Sequence, residues 1–116
     1  MWERVEAFLA RKPGPSESLQ LAPNARLYWS MGCVRLAAEG PRPLRLEGGA
    51  ALERVRALAE RHGLGVDLRS GEEAVLHRGG TYVCKLSGAR LFGVPERMDR
   101  ALFEDLLALV QDGGNV

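Results

Sequence analysis

Few side chains in this 116-residue chain are equipped for chemistry, and three of them fall in one stretch, Glu73–Leu86 (EAVLHRGGTYVCKL). His77, Tyr82 and Cys84 lie on two strand-like runs separated by Gly79-Gly80. A glycine pair tolerates the positive φ that tight hairpin turns require, so the stretch is expected to form a β-hairpin. A strict two-residue turn pairs Arg78 with Thr81, His77 with Tyr82, and Val75 with Cys84. That register puts His77, Tyr82 and Cys84 on one face together with Val75 and Leu86. An imidazole, a phenol and a thiol on one face could line a ligand pocket. A Cys–His nucleophile needs hydrogen-bond contact and a depressed thiol pKa. As diagonal neighbours, His77 and Cys84 are about 7–8 Å apart at Cα, too far for a catalytic pair. The expectation is a core-facing surface, with ligand contact through His77, Tyr82 and Cys84 as the alternative.

The remaining candidates are weaker. Cys33, His62, His77 and Cys84 could in principle ligate zinc, but they lack the close-spaced ligand pairs of such sites. No metal and no cofactor are expected, and the two cysteines are read as free thiols. Glu72 and Glu73 sit beside Ser70-Gly71 and read as solvated. No GxGxxG, P-loop, GxSxG or HExxH motif is present, which leaves no catalytic signature. Arg42, Arg45, Arg54, Arg56 and Arg61 cluster around one helix, where ion-paired surface is the expected role and phosphate or nucleic-acid contact the alternative.

Composition narrows the classes further. Sixteen basic residues against 15 acidic give a net charge of +1, which argues against a dedicated nucleic-acid binder. No apolar run reaches the ~18 residues of a membrane span, and Trp2-Glu3-Arg4 does not open a secretory signal. The chain is therefore expected in the cytoplasm, away from membranes. Basic positions filled almost wholly by arginine, with no isoleucine, point to a GC-rich genome and a thermophilic bacterium.

The elements that would position these residues form one domain, residues 1–116, long enough to build a core without disulfides. Trp2–Lys12 has helical apolar spacing and stops at Pro13-Gly14-Pro15. Ser16–Asn24 reads as a loop. Arg26–Glu39 fits either a helix or a hairpin turning at Met31-Gly32. The hairpin sorts the residues better, pairing Leu27 with Leu36, Trp29 with Val34 and Tyr28 with Arg35. Pro43–Glu47 alternates as a third strand. Ala50–His62 is a helix, Gly65–Arg69 a strand, and the Glu73–Leu86 hairpin follows. Gly88–Gly93 reads as a loop, and a last helix runs from Pro95 to Gln111, stopped by Gly113-Gly114.

The predicted class is α+β, a mainly antiparallel sheet with three helices in the order α-β-β-β-α-β-β-β-α. This order resembles the roadblock and profilin-like scaffolds of small regulatory and adaptor proteins; no motif of those families is present, so no residue is carried over. The last helix is apolar over a wide arc, which predicts deep burial or a partner. The functional expectation is a non-catalytic regulatory or adaptor domain acting through protein contacts. It is expected to self-associate as a homodimer through the C-terminal helix or a sheet edge.

Overall fold

The computed structural model describes residues 1–113. Gly113 closes the last helix in the left-handed region at φ 66, while Gly114 lies outside the described residues. The fold is α+β, built on a seven-stranded antiparallel sheet. Its helices are α1 (Trp2–Ala10), α2 (Ala50–Arg61) and α3 (Arg100–Gln111). The strands are β1 (Ser18–Ala22), β2 (Ala25–Ser30), β3 (Cys33–Glu39), β4 (Gly65–Leu68), β5 (Glu73–Arg78), β6 (Thr81–Ser87) and β7 (Arg90–Gly93). In space they run β1-β2-β3-β7-β6-β5-β4, so two consecutive meanders are joined at the centre by β3 against β7.

Arg26–Glu39 is a hairpin, with Leu27 opposite Leu36, Tyr28 opposite Arg35 and Trp29 opposite Val34, as expected. Its turn holds Met31 at φ 53 and Gly32 at φ 83. Two positive φ values suit the right-handed twist of the flanking strands, and this geometry outweighs the preference of methionine for negative φ.

Four expectations are corrected. Ser18–Ala22 is a strand rather than a loop, because Leu21 buries at the edge of the core while the backbone pairs with β2. Arg90–Gly93 is also a strand, filling the centre of the sheet between β3 and β6. Pro43–Glu47 is not a strand. Leu44 and Leu46 are buried as the alternation implied, but their amides donate to the loop carbonyls of Gly88 and Gly71 instead of to a ladder. The C-terminal helix likewise begins later than Pro95. Pro95–Arg97 is a 3-10 turn, and α3 starts after Asp99, whose carboxylate accepts the Leu102 amide at 2.8 Å.

Every helix packs on the same face of the sheet. From α1, Trp2, Val5 and Phe8 are buried, with the Trp2 ring 5.1 Å from that of Phe103 on α3. From α2 come Val55, Leu58 and Ala59. The arc of α3 (Leu102, Phe103, Leu106, Leu109, Val110), with Met98 just before it, is consumed within the chain's own core. Among the described residues no helix is long and apolar enough to cross a membrane.

The helix layer approaches the sheet closely at the end of β3. A Cβ on Gly40 would lie 1.9 Å from the Val110 carbonyl oxygen, a fixed backbone atom. On Gly71 it would meet only the flexible carboxylate of Glu47. Gly40→Ala is therefore expected to destabilise by about 1–3 kcal/mol, and Gly71→Ala by under about 0.5 kcal/mol. Urea unfolding of both variants checks the contrast; equal effects would contradict the close approach at Gly40.

Candidate functional site

The Glu73–Leu86 hairpin turns at Gly79-Gly80 and pairs Arg78 with Thr81 and His77 with Tyr82. Beyond that point the register slips by one residue. Cys84 lies opposite Leu76, not Val75, because Val83 is the extra residue of a β-bulge. Without the bulge, Lys85 would stand opposite Ala74 on the core face. With it, Leu86 takes that place and Lys85 turns outward. Avoiding a buried lysine is the physical reason for the slip.

The bulge divides the predicted trio, and the expected sharing of a face with Val75 and Leu86 is corrected accordingly. Cys84 and Leu86 are wholly buried under the helices, with Ala74, Leu76 and Val83. His77 and Tyr82 stand on the opposite face with Val75, which no helix among the described residues covers. Burial pushes the Cys84 thiol up to about 12, so it is a core thiol and not a nucleophile. Cys33, at the start of β3, is partly exposed. Native protein should therefore react with Ellman's reagent at one thiol and at two after denaturation; two fast native equivalents would contradict the burial of Cys84.

The uncovered face is ordered by the strand registers into rows. One row reads Arg26–Ala37–Phe92–Lys85–Val75 across β2, β3, β7, β6 and β5. Beside it, Tyr28 on β2 and Arg35 on β3 form a pair, and Tyr82 and His77 pair farther along. The Arg26 guanidinium lies over the Tyr28 ring at 4.6 Å and the Lys85 ammonium over Phe92 at 5.4 Å. Tyr82 donates to the Phe92 carbonyl at 3.4 Å. Burial pushes its phenol up to about 12, against the opposing pull of the Arg35 and Arg97 guanidiniums. The His77 ring lies over Gly65 on β4, where a Cβ would come within 2.4 Å of Cε1, and its Nδ1 has no hydrogen-bond partner among the described residues. A groove of about 540 Å³ runs over Ala37, walled by Arg26 and Phe92, with Glu39 and Arg90 at one end.

The arginines singled out around α2 do not join this surface. Arg54 pairs with Asp112 at 3.3 Å and Arg61 with Asp105 at 2.9 Å, both in the helix layer. Arg56 is exposed on α2, and Arg42 and Arg45 are exposed on the segment leading to it. The aromatic and cationic residues of the sheet were missed because they come from strands distant in sequence. The parity of β2 and β3 was the one signal available, since it already put Arg26, Tyr28 and Arg35 together.

A His–Asp contact also went unnoticed. At the end of α2, His62 Nε2 lies 2.7 Å from Asp105 Oδ2 on α3. The hydrogen bond from His62, and then that from Arg61, hold the Asp105 carboxyl below its ordinary range, against the effect of burial. Among the described residues no serine hydroxyl or cysteine thiol hydrogen-bonds to His62, so the pair works as a clamp between helices. Among the described residues no three His, Cys, Asp or Glu converge to hold a metal. Because the folded pKa of Asp105 is depressed, its contribution to stability is present above the unfolded value of about 3.9 and is lost as pH falls through the folded one. Asp105→Asn is expected to cost about 1 kcal/mol at neutral pH and nothing in strong acid. Chemical denaturation across pH checks this; a constant difference at every pH would exclude the linkage.

No protein-family model, no curated protein and no solved structure matches this chain.

Proposed function

We propose that this chain is a non-catalytic binding domain of regulatory or adaptor type, acting in the cytoplasm through the uncovered face of its sheet. One observation carries the reading: all three helices cover one side, while the other presents Tyr28, Tyr82 and Phe92 among cations with no element of the described residues over them. Large rings are normally buried or used for contact, since leaving them in water forgoes their hydrophobic gain. The core position of Cys84 weighs against chemistry on this face. Two free thiols suit a reducing compartment.

Self-association fits the sheet edges better than α3, whose apolar arc is already buried. β4 is an outer strand of four residues, and Leu68 on it is 38% exposed.

The test compares wild-type protein with a Tyr28→Ser/Phe92→Ser variant in sedimentation and in affinity recovery from cell extract. Both substitutions lie outside the core, so the variant should stay folded by circular dichroism. Wild-type protein is expected to retain a macromolecular partner, or to self-associate at micromolar concentration, and the variant to lose that association. Identical behaviour of the two proteins would sink the proposal.

A further inference from the structure

We propose that the uncovered sheet face binds single-stranded nucleic acid, with bases stacked on Phe92 and Tyr28 and phosphates held by Arg26, Arg35 and Lys85. The inference rests on the preceding reading of that face and names its partner. It departs from what net charge alone implies.

The face carries a charge pattern that the overall +1 conceals. The carboxylates that border it lie toward the margins: Glu39 is with Arg90 at 3.9 Å, Glu73 with the Ser87 hydroxyl at 3.2 Å and Asp67 with Arg69 at 2.8 Å, while Glu72 stands exposed in the turn beyond Phe92 and Arg90. Among the described residues, the three central cations have no carboxylate within ion-pair range. Arg26 and Lys85 are held over aromatic rings, and the Arg35 guanidinium donates to the Ser30 carbonyl at 3.2 Å. The centre of the sheet is thus positive.

Rings and cations alternate there on neighbouring strands. Along one row Arg26, Ala37, Phe92 and Lys85 follow one another, so Phe92 has Lys85 on one side and the small Ala37 on the other. Ala37 floors the groove between Phe92 and Arg26, which leaves room for a planar group against the ring. The next pair, Tyr28 and Arg35, repeats the combination of a ring beside a guanidinium.

A partner that matches both features must be planar and anionic in alternation. Single strands supply this, because their unstacked bases are free to lie on aromatic side chains while the backbone meets arginine and lysine. An acidic peptide matches the cations but leaves the rings unused. A duplex keeps its bases stacked on each other and cannot lay them on a flat sheet.

The experiment is fluorescence anisotropy with a labelled pyrimidine dodecamer as single strand, its duplex, and a poly-glutamate peptide as competitor. Three phosphate contacts on a single strand predict a Kd about 20-fold weaker at about 200 mM salt than at about 50 mM. Phe92→Ala should weaken binding about 5- to 150-fold, the range for loss of one stacked base. Phe92→Leu keeps the apolar bulk without the ring and should show a similar loss, separating stacking from stability. Arg45→Ala and Arg56→Ala, on the helix layer, should bind as wild type. The proposal is overturned if about 100 μM protein gives no anisotropy change at low salt, or if the duplex binds equally well. It is also overturned if poly-glutamate competes on equal terms, or if the Phe92 variants bind normally. If no strand binds but the Tyr28→Ser/Phe92→Ser variant still loses a protein partner, the binding-face reading survives and its assignment to nucleic acid does not.

Discussion

The pairing of β3 with β7 is the contact on which the rest of this fold depends. It joins a meander from the first third of the chain to one from the last half, making a single sheet of seven strands. At one end of this ladder Leu36 lies opposite Gly93, and Gly93 has no room for a side chain. A Cβ there would come 2.6 Å from Met98 Cε and 3.1 Å from Cys84 Cβ. The backbone approach lets the 3-10 turn and α3 fold directly back over the sheet. Without it the helices would have two half-sheets to cover and neither half would bury its apolar side.

One-sided coverage follows from this arrangement. α2 crosses from the central β3 to the far edge at β4, and the chain then returns strand by strand to the centre. The helices meet one another above the inward residues, with Trp2 against Phe103 and His62 against Asp105. The outward residues keep water on one side, and there the sequence puts rings beside cations instead of the usual mixture of small polar groups. The physical distinction between the two faces is therefore set by parity along each strand, and the Val83 bulge preserves it through β6.

Much of this was legible before the structure. The Met31-Gly32 hairpin and its register followed from sorting Leu27, Trp29, Val34 and Leu36 to one side. Alternation in Pro43–Glu47 gave the burial of Leu44 and Leu46 but not their hydrogen-bond partners, which lie in loops far along the chain. β1 and β7 were hidden by their shortness and by flanking prolines and glycines, which read as loop. The bulge had no local signal: a strict register offers Val75, His77, Tyr82, Cys84 and Leu86 as a core face with Lys85 outside it, and only the packing of Ala74 and Leu76 under the helices reverses that choice. The candidate face was only half visible, because its rows are assembled across β2, β3, β7 and β6, and no local pattern encodes which strands become neighbours. Once the ladder order is known, Phe92 and Lys85 fall beside Ala37 and Arg26 without further assumption.

The crossover through α2 also shapes how the molecule is made. Each meander can form from contacts between strands close in sequence, whereas the central ladder must wait until half the chain has been bridged. Until it closes, β3 and β7 are both open edges, with Leu36, Ala38 and Leu91 on the side that will later be covered. The two edges are complementary wherever they occur, so β7 of one chain fits β3 of another as well as its own. Closure within one chain has the advantage of the effective concentration that the α2 connection imposes on the two edges.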